Sequence, residues 1–240
     1  MAENIFHAAG SRGHANHGWL DTHHTFSFAN YYDPDRIHFG ALRVLNDDVV
    51  APGKGFGTHP HDNMEIISIP LEGDLEHRDS MENVQIIRKG DIQVMSAGTG
   101  IMHSEYNKNG DRPVNFLQIW VIPNKRNVKP RYDQVTLDPS ERQNRLQQVV
   151  SPVQSDSGVW IQQNAWFHLG IFGKNKAASY ALKLKGNGIY AFVISGSFII
   201  NGQTLHTRDG MGLTGLDILS LEAKTDGSEV LLIEVPMIIL

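Results

Sequence analysis

The chain has 240 residues, 40% of them hydrophobic and 20% charged, so it is a globular chain that can bury one large core or two smaller ones. Its net charge of −5 gives no general attraction to nucleic acid, and it contains no cysteine, which excludes disulfides, thiolate ligands and cysteine nucleophiles. Any metal must therefore be bound by histidine, aspartate or glutamate.

Segments that would direct the chain to a membrane or out of the cell are not evident. No run approaches the roughly 18 apolar residues of a membrane span. The opening MAENIFHAAGSRGHANHG has neither the basic nor the apolar region of a signal peptide. The sequence therefore predicts a cytoplasmic protein without membrane contact. The one basic cluster, NKRNVKPR at residues 124–131, has the composition of a solvated loop, and nucleic-acid binding is not expected.

Four histidines cluster near the N-terminus, at His14, His17, His23 and His24. Their spacing fits no single face, and the surrounding SRGHANHG has loop composition. We expect them to be hydrogen-bonded or solvated rather than to form a second metal site. The aromatic residues that follow are expected to pack over a sheet or a pocket: Phe26, Phe28, Tyr31 and Tyr32.

Most of the remaining chain consists of short β-prone runs broken by Gly, Asn, Asp or Pro, such as FGALRVLN, VNFLQIWVIP and EVLLIEVP. This rhythm predicts an all-β protein, an antiparallel sandwich or barrel. The best helix signal is PSERQNRLQQVV at residues 139–150, where Asp138 is a candidate cap and Pro139 fits the first turn.

Two stretches have similar patterns, IISIPLEGDLE around Gly73 and YAFVISGSFIING around Gly196. Each continues into a charged turn, which contains Gly90 in the first case and Gly210 in the second. Both predict strand, glycine turn, strand, charged turn and strand, which indicates a duplicated β domain. We therefore expect two tandem domains, residues 1–138 and residues 139–240, with the predicted helix as part of the connector.

The segment GFGTHPHDNMEII places His59 and His61 one residue apart around Pro60. Side chains repeat every two residues along a strand, so both imidazoles would project from one face. Pro60 argues against a helix interior and a central strand, which leaves an irregular strand or loop lip. Two neutral imidazoles held side by side suit a divalent transition metal. Two exposed histidines in a glycine-rich loop are the alternative.

A second pair, His103 and Glu105, follows the turn SAGTG in GDIQVMSAGTGIMHSEYN. With His59 and His61 it makes three imidazoles and one carboxylate, which would leave one or two positions open on a divalent metal, as in a catalytic site. The two pairs stand at fixed sequence distances from Gly73 and Gly90. The same distances from Gly196 and Gly210 in the second half lead to residues that bind no metal: Leu182, Leu184, Ala223 and Thr225. A metal site is therefore predicted in the first half.

These segments resemble known motifs. GKGFGTHPHDNMEIISIPLEG resembles the first cupin motif, and GDIQVMSAGTGIMHSEYN resembles the second. More narrowly, THPHDNMEII, SAGTGIMHSEYN and RGHANHGWLDTHHTFSFANYYDP resemble the pirin family of bicupins, over nearly the whole chain. The resemblance implies two cupin-type jelly-roll domains, the second without metal ligands, and one divalent metal bound by His59, His61, His103 and Glu105. Iron is the first expectation, with copper, nickel, manganese, zinc or cobalt as alternatives.

Glu65 lies in the first motif, where many cupins have their carboxylate ligand, whereas the pirin arrangement uses the glutamate two residues after the third histidine. Glu105 occupies that place. Glu65 is then either an acceptor that orients an imidazole N–H, which we favour, or a solvated strand residue.

The remaining candidates have simpler interpretations. His77, His168 and His206 each stand alone and are expected to be surface or core histidines. Asp47 and Asp48, in LNDDVV, are expected to form an acidic turn without a catalytic role.

The resemblance implies a metal-dependent dioxygenase that acts with O₂ on a quercetin-like flavonol or a related enolisable aromatic. Glu105 would be the base that accepts the proton of the substrate hydroxyl. The resemblance also implies a second hypothesis, a non-enzymatic, metal-bearing regulator that senses redox state and binds a protein partner. A third hypothesis is a cupin isomerase or lyase that does not use O₂, because one fold hosts many chemistries.

Overall fold

Regular structure is almost entirely β in residues 3–239, the part of the chain that the computed structural model describes. Two short 3-10 helices, Ala9–Ser11 and Pro139–Arg142, are the only helical segments within those residues. The predicted all-β class is confirmed. No helix in this range has the length and apolar character needed to cross a bilayer.

The first half of the chain builds two antiparallel sheets. Its strands are β1 (Glu3–His7), β2 (Gly13–Asn16), β3 (Leu20–His24), β4 (Leu42–Val50), β5 (Gly55–His61), β6 (Glu65–Glu72), β7 (Asp74–Asp79), β8 (Val84–Arg88), β9 (Asp91–Ser96), β10 (Ile101–Asn107), β11 (Val114–Val121) and β12 (Arg131–Thr136). A seven-stranded sheet has the order β12-β9-β6-β11-β4-β3-β2, and a four-stranded sheet has the order β5-β10-β7-β8.

The second half has a similar pair of sheets, antiparallel except where its first two strands pair in parallel. Its strands are β13 (Gln147–Ser151), β14 (Val159–Trp160), β15 (Trp166–Phe172), β16 (Ala177–Ala181), β17 (Asn187–Ser195), β18 (Ser197–Ile200), β19 (Gln203–His206), β20 (Gly210–Thr214), β21 (Ile218–Ala223) and β22 (Ser228–Pro236). The seven-stranded sheet has the order β1-β20-β17-β22-β15-β13-β14, and the four-stranded sheet has the order β16-β21-β18-β19.

The predicted duplication is confirmed by the strand order. The run β9-β6-β11-β4 of the first half has the counterpart β20-β17-β22-β15, and β5-β10-β7-β8 has the counterpart β16-β21-β18-β19. Gly73 and Gly196 occupy equivalent turns, after β6 and after β17, with φ values of 75° and 79°. Glycine reaches this left-handed region without strain, which explains why it stands at both turns.

Strand β1 leaves the half of the chain to which it belongs in sequence. It pairs with β20, from Glu3 opposite Thr214 to His7 opposite Gly210, and so forms the edge of the second seven-stranded sheet. In the first sheet β12 takes the corresponding edge, next to β9. The predicted domain boundary between residues 138 and 139 stays a prediction. β1 belongs to the first predicted domain by sequence but lies in the sheet of the second.

The two seven-stranded sheets contribute to one large apolar cluster. Leu42, Ile67 and Ile119 of the first sheet belong to the same buried cluster as Phe167 and Phe192 of the second. Complete burial of such a side chain contributes roughly 1.5–3 kcal/mol. This shared cluster therefore joins the halves more firmly than a flexible connector would.

The interiors of the two halves differ. In the second half one continuous apolar cluster, which includes Phe172, Phe198 and Leu232, lies inside the domain. The first half has two smaller clusters instead, one around Phe116 and one around Ile66. Buried polar side chains also occupy this interior: Ser68, His77, His103, Glu105 and Gln118. These five side chains place a polar cluster inside the first half.

The helix predicted over residues 139–150 is wrong beyond its first turn. Asp138 caps that turn as expected, because its carboxylate accepts a hydrogen bond from the Ser140 N–H at 2.9 Å. The chain then enters β13, where Val149 and Val150 are fully buried in the shared cluster. Pairing of β13 with β15 and burial of two β-branched residues outweigh the local helix signal.

Both predicted roles of Glu65 are wrong. The side chain is fully buried, and its carboxylate accepts a hydrogen bond from the Ser96 hydroxyl at 2.7 Å. No imidazole is among its hydrogen-bond partners in the described residues. Burial raises the pKa of Glu65 to about 7, even though its hydrogen bonds and nearby Arg131 favour the ionised form.

Glu65→Gln is expected to reduce the pH dependence of stability. Because the pKa of Glu65 is raised in the folded state, its protonated side chain makes its full contribution to the free energy of unfolding below pH 4.5, the ordinary pKa. This contribution is lost as the pH rises through about 7. Between about pH 5 and about pH 8, the free energy of unfolding of the wild type should fall by roughly 2–3 kcal/mol relative to the variant. Urea denaturation at both pH values measures this change in the free energy of unfolding. Glu72→Gln, at the exposed end of the same strand, is the control. Identical pH dependence of stability in wild type and Glu65→Gln would contradict the raised pKa of Glu65.

Candidate metal centre

The two predicted ligand pairs lie on neighbouring strands of the first four-stranded sheet. β5 carries His59 and His61, β10 carries His103 and Glu105, and His59 stands directly opposite His103. The register shifts between His103 and Glu105, where β5 has one extra residue, as in a β-bulge. Pro60 is accommodated because β5 is the edge strand of this sheet. The predicted irregular strand is confirmed.

The three imidazoles form a close cluster. Ring centroids are 4.8 Å apart for His59 and His61, 4.4 Å for His59 and His103, and 4.8 Å for His61 and His103. One ring nitrogen of each lies within 4.8 Å of the others. A second group within the same limit consists of His77, His103 and Glu105. His103 belongs to both groups, so Glu105 is grouped with His103 and His77 rather than with His59 and His61, and His77 is an addition to the predicted residues.

Burial keeps two of these imidazoles neutral. Desolvation, followed by the nearby rings of His103 and His59, lowers the pKa of His61 to about 4. Desolvation, followed by His59 and His77, lowers the pKa of His103 to about 3. At neutral pH each ring therefore has a nitrogen lone pair, the form that a metal ion requires.

A backbone contact selects the tautomer of His59. Its Nδ1 lies 2.7 Å from the carbonyl oxygen of Gly57. Because a carbonyl oxygen only accepts, Nδ1 carries the proton, and Nε2 holds the lone pair.

A chain of three buried side chains selects the tautomer of His103. Oδ2 of Asp79 lies 3.2 Å from Nε2 of His77, and Nδ1 of His77 lies 3.4 Å from Nδ1 of His103. The carboxylate accepts from Nε2–H of His77, which leaves Nδ1 of His77 to accept from Nδ1–H of His103. The lone pair of His103 is then on Nε2.

Asp79 is suited to accept the last hydrogen bond of this series because its side chain is ionised. Burial opposes its ionisation, but hydrogen bonds from Asn83, His77 and the backbone N–H of Met81 outweigh burial and keep the pKa of Asp79 below its usual value. An ionised oxygen accepts more strongly than a neutral one.

Nε2 of His103 is available to bind a cation. It is buried and has no hydrogen-bond partner in the described part of the chain. An unpaired buried polar atom costs about 1–3 kcal/mol, a cost that a metal bond would remove. The available donors are neutral imidazole nitrogens and a carboxylate, without thiolate, a set that suits divalent ions of borderline softness.

Glu105 is held by two neighbours from the seven-stranded sheet. Its Oε2 accepts from Nε2 of Gln118 at 2.7 Å, and its Oε1 lies 3.2 Å from the Ser68 hydroxyl. That hydroxyl also lies 3.1 Å from Oε1 of Gln118, so its single proton serves one acceptor at a time. Ser68 and Gln118 pair in register across β6 and β11, which places both polar side chains on the inner face.

A cavity of about 200 Å³ lies beside the cluster, with His59, His61 and Glu105 in its wall. Trp120 stands edge to face against His61, at a centroid distance of 4.9 Å, and against Phe28 at 5.4 Å. The apolar part of the wall consists of Leu20, Phe28, Ala29, Phe56 and Trp120. Small-molecule sites have this combination of apolar walls and a few polar groups.

The turn predicted at Asp47 and Asp48 is wrong, because both residues are buried within β4. Asp47 lies beside the guanidinium of Arg208, whose Nε donates to it at 2.7 Å. Asp48 lines the cavity and accepts a hydrogen bond of 2.5 Å from the Thr22 hydroxyl. Burial raises the pKa of Asp48 to about 7, so its protonated form is well populated near neutral pH.

The expectation that the N-terminal aromatic residues pack over a sheet or pocket is correct for part of the set. Phe26 is buried in the shared cluster, and Phe28 lines the cavity. Tyr31 is half-buried beside His24, whereas Tyr32 is exposed.

The other isolated histidines divide between the interior and the surface. His77 is a core histidine, as one expectation had it, but it contacts His103 rather than standing alone. His168 is buried against Tyr180, and His206 is exposed on β19.

The second half has no histidine in the strands equivalent to β5 and β10. These are β16, with the sequence AASYA, and β21, with the sequence ILSLEA. The four positions predicted from the glycine spacing lie at or just beyond the ends of these strands, so that spacing did not identify the equivalent strand positions.

Sequence reasoning missed His77, Asp79, Ser68 and Gln118. One usable signal was present, since His77 and Asp79 are one residue apart on a β-prone run, the same spacing as the two ligand pairs. Ser68 and Gln118 lie 50 residues apart and carried no local signal.

The chain also matches known proteins. Residues 5–121 match the family described as Pirin, and residues 148–235 match the one described as Quercetinase C-terminal cupin domain. A protein of Escherichia coli K12 named quercetin 2,3-dioxygenase is 43% identical over 228 residues, which cover 95% of this chain and 96% of the relative. The chain belongs to the pirin family.

Two crystal structures from Escherichia coli resemble this pirin. The structure of YhhW has a TM-score of 0.93 and 42% identity, and the match covers 98% of this chain and 99% of that one. The structure of the bacterial pirin YhhW in complex with nickel(II) has a TM-score of 0.93 and 41% identity, with 98% of this chain and all of that one covered. The relative's nickel and the cluster found in this pirin together support a divalent metal.

The chelator-treated pirin is expected to have His103 as the Nδ1–H tautomer, visible in long-range ¹H–¹⁵N spectra of the imidazoles. His77→Leu removes the acceptor and should weaken divalent-metal affinity by about 10–100-fold in a calorimetric titration. His77→Gln retains an acceptor and should restore part of this affinity. A predominant Nε2–H tautomer of His103 in the wild type would disprove the hydrogen-bond chain.

Proposed function

We propose that this pirin is a metal-dependent dioxygenase that cleaves a quercetin-like flavonol, or a related enolisable aromatic, with O₂. The metal would be held by His59, His61, His103 and Glu105. The observation that carries the proposal is the buried, unpaired Nε2 of His103, which faces two further imidazoles beside an apolar cavity. The name of the Escherichia coli relative supports the reaction and the substrate class.

A bound divalent ion supplies Lewis acidity that favours the deprotonated substrate hydroxyl, and a redox-active ion also supplies reactivity toward O₂. Zinc lacks redox chemistry, which makes it the least suitable of the alternatives. We therefore keep iron as the expected metal. Copper, nickel and manganese share the ability to change oxidation state.

Glu105 is the residue that accepts the proton of the substrate hydroxyl. A carboxylate in the cavity wall is within reach of a hydroxyl that approaches the three imidazoles. The amide of Gln118 holds one carboxylate oxygen at 2.7 Å, while the Ser68 hydroxyl can turn from the other oxygen to Gln118. This second oxygen is the one free to take a proton without loss of the Gln118 contact.

The cavity wall selects the substrate and excludes water. Trp120 and Phe28, in edge-to-face contact, offer flat apolar surfaces against which an aromatic ring can pack. Leu20 and Phe56 extend this apolar wall. Removal of water strengthens the interaction between the substrate anion and the charged centre, and it protects an oxygen-reactive intermediate.

Glu105→Gln is expected to lower the turnover of quercetin by about 10²–10⁴-fold, because the amide has nearly the same size but cannot accept the proton. Loss of flavonol absorbance in air and under argon measures the rate, which is divided by the metal content of the same sample. Glu72→Gln, an exposed glutamate on β6, is the control and should retain wild-type turnover.

The same assay separates the three hypotheses. Turnover that requires both O₂ and Glu105 supports the dioxygenase. Absence of turnover with iron, copper, nickel and manganese would instead favour the metal-bearing regulator, and conversion of another substrate without O₂ would favour the isomerase or lyase.

Protein purified without added metal is expected to contain close to one iron per chain by elemental analysis. Nickel, copper or manganese at that level would replace iron and leave the oxygen chemistry intact. Stoichiometric zinc, with quercetin turnover absent, would contradict the proposed reaction because zinc is not redox-active.

A further inference from the structure

The outer face of the N-terminal hairpin carries a second group of metal-binding side chains. β2 and β3 pair antiparallel, with His14 opposite His23 and Asn16 opposite Asp21. Residues two apart on a strand share a face, so all four side chains project to the same side. Spacings along the chain do not reveal this common face, because the residues of β2 and β3 meet across a turn.

The donor atoms converge on one carboxylate oxygen. Oδ1 of Asp21 lies 3.0 Å from Nε2 of His14 and 3.6 Å from Nδ1 of His23. The two imidazoles are stacked, with centroids 4.4 Å apart and planes inclined by 17°. The three donor atoms all lie within 4.8 Å of one another.

These separations match those around a small divalent ion. Zinc and similar ions bind imidazole nitrogen and carboxylate oxygen at roughly 2.0–2.2 Å. Two such bonds that meet at a right or tetrahedral angle leave the donors roughly 3.0–3.5 Å apart. The observed 3.0 and 3.6 Å lie close to this range, and one of the two stacked rings must turn out of the parallel arrangement so that both nitrogens point at the ion.

The surrounding residues hold the carboxylate in place. Nδ2 of Asn16 donates to Oδ2 of Asp21 at 3.0 Å, which leaves Oδ1 for the two histidines. β3 is paired on its other side with β4, so the backbone of Asp21 and His23 is fixed by two neighbours. Support of a ligand by a hydrogen-bonded neighbour is a regular feature of metal sites.

The local charge is less favourable than in the buried cluster. Arg12 and Arg208 both approach Asp47, which stands opposite His23 on β4. The two guanidinium groups and the Asp47 carboxylate together leave one positive charge near the three proposed ligands. Burial, followed by Arg12 and His14, lowers the pKa of His23 and so favours its neutral, metal-binding form.

We propose that His14, Asp21 and His23 form a second divalent-metal site, independent of the proposed enzymatic function. Two imidazoles and one carboxylate suit zinc, cobalt, nickel or copper, and water can complete the coordination because the three side chains are about one-third to one-half exposed. Exposure and the positive charge nearby make this site weaker than the buried cluster.

The site lies on the reverse side of the cavity wall. The inner face of β3 contributes Leu20, Thr22 and His24 to the cavity, whereas Asp21 and His23 project outward from the same strand. An ion on the outer face therefore ties the edge strand β2 to a strand that lines the cavity.

Titration of chelator-treated protein with Co²⁺ tests the site, because Co²⁺ reports its ligands through visible absorption and broadens the NMR signals of nearby amides. In wild type we expect two Co²⁺ per chain. A His59→Ala/His61→Ala variant removes the first cluster and should retain one Co²⁺, with broadening confined to β2, β3 and their neighbours. Adding His14→Gln should weaken this remaining binding at least tenfold.

His17→Gln in the same background is the matched control, since His17 is an exposed histidine of the same segment outside the group, and it should leave Co²⁺ binding unchanged. One Co²⁺ per chain in wild type would overturn the proposal, and this measurement does not depend on the folding of any variant. Binding that survives His14→Gln would likewise place the ion elsewhere. Quercetin turnover is not a readout, so failure here leaves the proposed function untouched.

Discussion

The candidate centre depends on the contact between His103 and His77. Asp79, behind His77, makes that ring an acceptor toward His103, and the lone pair of His103 is thereby directed at His59 and His61. Without this acceptor, the buried ring would have no reason to keep its proton on Nδ1. Because the Gly57 carbonyl acts on His59 in the same way, two of the three imidazoles have their tautomer set by the fold before any ion binds.

A buried polar centre weakens the domain that contains it, and the second half compensates. The interior of the first half is divided into two small apolar clusters, whereas the equivalent interior of the second half is continuous. The Ser68–Gln118 pair on β6 and β11 contrasts with apolar pairs such as Ala191–Leu232 on the equivalent strands β17 and β22. The large cluster shared by the seven-stranded sheets then stabilises the halves as one body, which allows the first to keep a costly interior.

Prediction from sequence succeeded where the signal was local. His59 with His61, and His103 with Glu105, were found because strand geometry aligns residues two apart. It failed where a residue's role depends on a distant partner. Glu65 is buried and accepts from Ser96, 31 residues away, residues 147–151 form a strand that pairs with β15, and β1 joins the second sheet.

The sequence by itself determined the all-β class, the duplication and the two candidate ligand pairs, because each is expressed in a periodicity of two residues or in glycines that need a positive φ. Only the tertiary structure decided which strands became neighbours. That choice placed His77 against His103, Gln118 against Glu105 and His14 against His23, contacts that join residues 26, 13 and 9 positions apart. Such contacts depend on which strands pair and in which register, and this pairing is decided by burial of one sheet face across the whole fold.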